Sequence, residues 1–241
     1  MDMLAGKTVL VTGATDGLGK ALAFRLAEEC ARVLAHGRNE QKGAELVSQL
    51  EAVRPAGHRF YKADFSSLDQ VRRMGEAILA GEDRIDVLIN NAGIYLRGDR
   101  EVSTDGHELT FQVDYLAGYL ITRMLLPLLR KAAPARVVMV ASAGQQPIDF
   151  DDVMLEKSFD TPQAYRQAKL AQIMMAFEMA EDLANDGITI NALHPATHMP
   201  TKMVTGRFDP KNAIAEGVDN VMHLAASDET ASVQCNAWLA D

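Results

Sequence analysis

Tyr165 and Lys169 stand four residues apart at the start of an amphipathic run that continues through Leu170, Ile173, Met174, Phe177 and Met179. On a helix that spacing stacks both side chains on one face. An ammonium one turn from a phenol favours the phenolate, so a hydroxyl that ordinarily titrates near pH ~10 can trade its proton at lower pH. Such a pair can act as proton donor and acceptor for a carbonyl. A second constellation lies near the N-terminus, in Gly13-Ala14-Thr15-Asp16-Gly17-Leu18-Gly19. It follows an apolar run from Lys7 to Thr12 and precedes a helical pattern through about Glu29. Strand, glycine loop and helix together form a phosphate-binding layout, in which the helix N-terminus offers backbone amides to an anion. Gly13 allows the tight turn, Gly17 lets the backbone approach a pyrophosphate, and Gly19 packs helix on strand. The plain alternative is a glycine-rich turn with no ligand.

The elements that must position these groups alternate short β-branched runs with longer helical patterns. Strands are expected over Lys7–Thr12, Arg32–His36, His58–Lys62, Asp86–Asn90, Arg136–Ala141, Thr189–Leu193 and Ala237–Leu239, with helices between them. The second run ends in His36-Gly37-Arg38-Asn39, with no carboxylate before Glu40. A site that prefers NAD places a carboxylate there for the ribose hydroxyl, whereas an arginine suits the 2′-phosphate of NADP. Arg38 therefore favours NADP, with NAD as the alternative. Asp16 opposes this by repelling the same phosphate, unless it pairs with Arg38 or turns to solvent. Asp64, in a polar helix start Asp64-Phe65-Ser66-Ser67, is placed to reach an adenine amino group or to cap the helix. Asn91, Ala92 and Gly93 suit a backbone pressed against a cofactor.

Composition narrows the partners. The chain has 241 residues, 48% of them hydrophobic and 6% aromatic, which suffices for one large core. Its net charge of -9, from 24 basic and 33 acidic residues without a basic run, argues against nucleic acid and anionic membrane and favours a small-molecule partner. No apolar signal segment opens the chain and no run approaches the ~20 residues of a membrane span, so a cytoplasmic protein is expected. Cys30 and Cys235 are too few for a disulfide framework. His194 and His198 are four apart, but Pro195 and Pro200 argue for a loop rather than a metal-binding helix face.

Four separated motifs recur in order and carry a resemblance over nearly the whole chain: Thr12-Gly13-x-x-x-Gly17-x-Gly19, Asn90-Asn91-Ala92-Gly93, the serine of Val140-Ala141-Ser142-Ala143-Gly144, and Tyr165-x-x-x-Lys169. The chain resembles the short-chain dehydrogenases/reductases. Arg38-Asn39-x-x-Lys42-Gly43, Asp105-Gly106-His107-Glu108 and Leu193-His194-Pro195 look like the branch containing retinol dehydrogenases and their bacterial relatives. The resemblance implies an α/β fold: a single doubly wound Rossmann-type domain over 1–241, with a mostly parallel seven-stranded sheet, helices on both faces and the site at the strands' carboxyl ends.

It also implies an NADP-dependent oxidoreductase acting on an alcohol or carbonyl. Ser142 would hydrogen-bond the substrate oxygen, Tyr165 would transfer the proton, and Lys169 would hold the nicotinamide ribose and tune the tyrosine. The cofactor would lie along Gly13, Thr15, Asp16, Gly17, Leu18, Gly19, Arg38, Asp64, Phe65, Asn91, Ala92 and Gly93, with Pro195, His198 and Thr201 near the nicotinamide. Homodimers or homotetramers would form through the helices of 105–131 and 163–185. Three positions depart from the family. Asp114 stands where asparagine is usual and could pair with Lys169, Ala196 replaces a glycine, and Thr201 lies later than usual after the proline. Cys235 and Asn236 sit where relatives often have glycine.

Two segments flank the expected substrate. Gln145–Gln163, with Ile148, Phe150, Met154 and Phe159, is expected to wall the pocket or to pack on the surface, and Lys202–Ala215 is a lid candidate. Two other functions are weighed. A non-catalytic dinucleotide-binding sensor or scaffold would keep the fold without turnover. A hydrolase would use Ser142 with His194 as base, but the first glycine of its elbow motif is missing.

Overall fold

The computed structural model describes residues 3–234 and 237–239. Seven parallel strands form one sheet in the order β3-β2-β1-β4-β5-β6-β7. The strands are β1 (Thr8–Val11), β2 (Arg32–Gly37), β3 (Arg59–Lys62), β4 (Val87–Asn90), β5 (Ala135–Val140), β6 (Ile188–His194) and a three-residue β7 (Ala237–Leu239). The helices between them are α1 (Gly17–Glu28), α2 (Glu40–Val53), α3 (Leu68–Gly81), α4 (Leu109–Phe111), α5 (Ala117–Ala132), α6 (Thr161–Asn185) and α7 (Ile214–Ala226).

Alternation along each strand sends side chains to two separate cores. Val9, Val11, Val33, Val87, Ile89, Val138 and Val140 pack under α1, α2 and α7. Their neighbours Leu10, Leu34, Leu88, Val137 and Met139 pack under α3, α5 and α6. Burial on both faces explains why these strands read as continuous apolar runs. The strand order reverses between β1 and β4, and there the loops leaving the carboxyl ends diverge into a crevice.

Two expected helix starts are corrected. Asp64 opens a tight turn, accepting Ser66 N–H at 2.9 Å, while Ser67 caps α3. The helical pattern from Asp105 begins late, because Asp105 accepts Leu68 N–H and the Gln112 side-chain amide, and Gly106 takes φ +86. Glu108, fully buried, then caps α4 through Thr110 and Phe111 N–H. A π-helical turn over Gln112–Leu116 separates α4 from α5.

Cys30 is buried with φ 67 at the end of α1, whereas Cys235 and Asn236 lie outside the described residues. No helix among the described residues is long and apolar enough to cross a membrane.

Glu82, just after α3, ties the edge of the sheet together. Its side chain is 1% exposed and accepts from Arg32 of β2 and from Tyr61 (2.6 Å) and Arg59 (3.2 Å) of β3. Burial pushes its carboxyl up, but Arg32, Tyr61 and Arg59 outweigh burial and leave it below its ordinary value. The stability it adds is thus present above the ordinary carboxylate range and lost as pH falls through the lower, folded value. Glu82→Gln should cost about 2 kcal/mol near neutrality and flatten the acid side of the stability curve. Denaturant unfolding from pH 3 to 8 measures both, and an unchanged curve would refute the assignment.

Candidate active site

The loops after β1 through β6 enclose a cleft of about 870 Å³. Its floor is the close contact between the glycine loop and the loop after β4. Thr12 Oγ accepts Asn91 and Ala92 N–H at 2.9 Å each, and the Asn91 amide donates to Thr12 O at 2.8 Å. Gly13 takes φ +67, and a Cβ there would come within 2.9 Å of Ala92 Cα. Gly19 lets α1 approach the carboxyl ends of β1 and β4 closely. A side chain at Gly19 would overlap Gly13 O and the Asn91 amide, so this glycine closes the loop on itself. Asp16 caps α1 by accepting Gly17 N–H at 2.9 Å.

His36 was not singled out from the sequence, yet it braces this loop. Its Nδ1 accepts Gly13 N–H at 3.1 Å, and its Nε2 lies 3.1 Å from Ala63 O. The two contacts require the tautomer with the proton on Nε2. Its ring also stacks on Phe65 with centroids 4.1 Å apart. Burial pushes its pKa down to about 4, so the ring is neutral near pH 7 and the Gly13 bond persists. The available signal was its place at the end of β2, two residues before Arg38.

At the other end of the cleft, Asp160 caps α6 and accepts Gln163 N–H at 3.1 Å, with Pro162 in the first turn. This sets Tyr165 in the helix's opening turns and Lys169 one turn deeper. The Lys169 ammonium lies 5.4 Å from the centre of the Tyr165 ring. It is buried and donates to Gln172 Oε1 at 3.0 Å and to Val140 O at 3.3 Å. Asp114 Oδ2 lies 3.2 Å from it, and Asp114 Oδ1 accepts Ile94 N–H at 2.7 Å. Burial pulls the lysine pKa down, but Asp114 and then Tyr165 more than offset this, leaving it above the ordinary value. Burial raises the Asp114 carboxyl against the pull of Lys169. Ser142 follows β5, and its Oγ accepts Gly144 N–H at 3.1 Å.

Thr15, Asp16, Gly17, Leu18, Arg38, Asp64, Phe65, Asn91, Ala92, Gly93, Ser142, Tyr165, Lys169, Pro195, His198 and Thr201 all line the cleft, as do Gly13 and Gly19. Asp114 does not line it and stands behind Gly93, where a Cβ would come 3.1 Å from Asp114 Oδ2. Of the two ways by which Asp16 could escape repelling the phosphate, pairing with Arg38 or turning to solvent, the structure shows neither outright: the half-exposed carboxylate pairs with Lys202, and this pairing holds its pKa down. Ala196 is buried without positive φ; His198 instead takes φ 48.

The expected pocket wall is also corrected. No residue of 145–163 lines the cleft: Ile148 and Met154 pack against Phe111, Ala168 and Ala171, and Phe150 points to solvent. The apolar lining comes instead from Ile94, Tyr95, Met203, Val204 and Phe208. Tyr95 lies 5.1 Å from Tyr165, and Arg207 stacks on Tyr95 at 4.3 Å. His194 Nε2 is 3.0 Å from Thr197 Oγ, while His198 stacks on Phe208, and no metal-binding group occurs among the described residues.

The family described as short chain dehydrogenase matches residues 7–212. Mouse retinol dehydrogenase 13 is 36% identical over 199 residues, covering 80% of this chain and 58% of that protein. Human retinol dehydrogenase 14 is 37% identical over 262 residues, covering 96% of this chain and 77% of the relative. Thus the chain spans less than two thirds of the length of some curated relatives and more of others.

Two solved structures superpose along nearly the whole chain. The Pseudomonas aeruginosa RhlG/NADP active-site complex has a TM-score of 0.79 at 27% identity, covering 99% of this chain and 96% of that one. A blue fluorescent protein from a metagenomic library in complex with NADPH has a TM-score of 0.81 at 26% identity, covering 99% and 97%. The chain belongs to the short-chain dehydrogenase/reductase family, a family of oxidoreductases, on its retinol-dehydrogenase-like branch.

His36→Leu removes the acceptor of Gly13 N–H while filling similar space. An unpaired buried amide should weaken dinucleotide binding about tenfold. Fluorescence titration reads this directly, and unaltered affinity would show that the His36 brace does not matter to the loop.

Proposed function

We propose that this protein transfers a hydride between NADP(H) and an alcohol or carbonyl substrate, using Ser142, Tyr165 and Lys169. The observation that carries the reading is the single cleft that runs from the glycine loop to Tyr165. A dinucleotide fits the residues of this cleft: the glycine loop and α1 N-terminus would hold the pyrophosphate, Asp64 and Phe65 would border the adenine, and Asn91 to Gly93 would offer a small-residue backbone wall. Arg38 at the end of β2 favours the 2′-phosphate, which supports NADP over NAD.

When bound, the nicotinamide supplies or accepts the hydride. In the reducing direction Ser142 Oγ donates a hydrogen bond to the carbonyl oxygen, and Tyr165 delivers its hydroxyl proton to that oxygen as the carbon gains the hydride. Lys169 holds the ribose and stabilises the phenolate left on Tyr165. Asp114 acts through Lys169: its carboxylate offsets the ammonium and so weakens the help that Lys169 gives. Ile94, Tyr95, Met203, Val204 and Phe208 favour an apolar substrate body. Residues 1–241 work as one cofactor-binding and catalytic unit. The exposed Tyr119 of α5 and Met174 and Phe177 of α6 support a homodimer or homotetramer.

The Asp114–Lys169 pair also favours a second reading, a dinucleotide-binding sensor or scaffold in which Tyr165 is no longer activated. The deciding experiment follows NADPH and NADH consumption against aldehydes, ketones and quinones. Tyr165→Phe should lower kcat/KM by about a hundredfold or more. Binding of either dinucleotide without turnover of any substrate would support the sensor instead.

Asp114→Asn removes a negative charge from beside Lys169 and leaves an acceptor for Ile94 N–H. The phenolate then gains the full ammonium. The pH profile of alcohol oxidation should move to lower pH. An identical profile would remove Asp114 from the account.

A further inference from the structure

The glycine loop carries an acidic residue where its ligand is anionic. Asp16 precedes the second loop glycine, caps α1 through Gly17 N–H, and is about half exposed on the rim of the cleft. Arg38, Asn39 and Lys42 line the same cleft, and the Lys42 charge acts on Asp16, so Asp16 lies toward the end of β2 where a 2′-phosphate would lie. A carboxylate there repels a phosphate and works against NADP.

The compensating charge comes from far along the chain. Lys202, in the segment after β6, forms an ion pair with Asp16 Oδ2. Its backbone is anchored on both sides. Thr201 Cγ2 would lie 3.2 Å from a Cβ placed on Gly17, so the preceding residue rests on the glycine loop. Further along, Arg97 donates to Thr205 O at 3.1 Å, Arg207 donates to Leu96 O, and Phe208 stacks on His198 at 4.5 Å. The segment thereby spans from the phosphate end of the cleft to the neighbourhood of Tyr165. A lysine on an anchored segment loses less freedom on meeting a ligand than one on a loose loop.

We propose that Lys202 is a specificity-determining residue for the dinucleotide, neutralising Asp16 and turning its ammonium toward the 2′-phosphate of NADP. This rests on the reading of the cleft as a dinucleotide site. Preference for NADP is then set jointly by Arg38 just after β2 and by a residue of the segment that also borders the substrate. An ammonium has three donors, so Lys202 can keep Asp16 and meet a phosphate oxygen together. Without it, Asp16 and the phosphate face each other uncompensated. Because NADH has only a hydroxyl at that position, it should be nearly indifferent to the change.

The test is fluorescence titration of the full chain with NADPH and with NADH, for the unaltered protein, Lys202→Met, Asp16→Asn and the double variant. Methionine keeps the length of the side chain, and asparagine keeps an N-cap acceptor for α1. Lys202→Met should weaken NADPH about tenfold at low salt and change NADH less than about twofold. Adding Asp16→Asn to Lys202→Met should recover most of the loss.

An NADPH-to-NADH affinity ratio unchanged by Lys202→Met would overturn the proposal. So would a double variant no better than Lys202→Met. Either result, with the unaltered protein binding both dinucleotides, leaves the cofactor reading standing and removes Lys202 alone. Binding of neither dinucleotide by the unaltered protein would overturn both.

Discussion

A buried ammonium sets the most demanding condition in this fold. Lysine is rarely taken out of water unless its charge is paired and its donors are bonded. Lys169 meets that condition with a carbonyl from the end of β5, an amide oxygen one turn along α6, and a carboxylate from the π-helical turn before α5. Asp114 in turn accepts the backbone of Ile94, so the loop after β4 joins the same arrangement. One desolvated charge therefore fixes the relative placement of two strand ends, a long helix and the turn between two others. It also places the Tyr165 hydroxyl face of α6 against the cleft rather than against the core.

The cofactor end is organised by uncharged contacts instead. Thr12, Asn91 and Gly13 bring the loops after β1 and β4 together where the strand order reverses, and His36 ties the loop to β2 and to Phe65. A neutral histidine can do this because it donates at one nitrogen and accepts at the other, which no aliphatic side chain of its volume could do. The two ends thus differ in kind: a hydrogen-bonded cradle suits a fixed phosphate chain, and an adjustable charge pair suits proton transfer. The segment through Lys202 and Phe208 covers both and makes them neighbours of one piece of backbone.

Much of the fold was legible in local pattern. β-branched runs of four to seven residues, glycine spacing and Ser or Asp caps are short-range signals, and β2 and β6 lie within a residue or two of where they were expected. The glycine loop and the Tyr165–Lys169 spacing could be read for the same reason. The late start of the long helix after Asp105 could not, because the Asp105 carboxylate is drawn off by Leu68 N–H, 37 positions earlier in the chain. The stretch 145–163 has pocket-like composition, but Ile148, Val153 and Met154 found partners on α6 and beside Phe111, leaving the pocket to Ile94, Tyr95, Met203, Val204 and Phe208.

What the sequence determined by itself is the chemistry available: a glycine cradle, a phenol and an ammonium one helical turn apart, a serine after a strand, and an arginine where a second phosphate would lie. Those depend on residue type and on spacing within a few positions, which the geometry of helix and strand converts directly into neighbours. Only the tertiary structure decided how the charges are paired. Asp16 meets Lys202 across 186 positions, a contact with no local signature, whereas the pairing of Asp114 with Lys169 was expected only through the family resemblance and not from local spacing. Electrostatic partners are chosen by proximity in space and by burial, and those are set only once the sheet and its two layers of helices have closed.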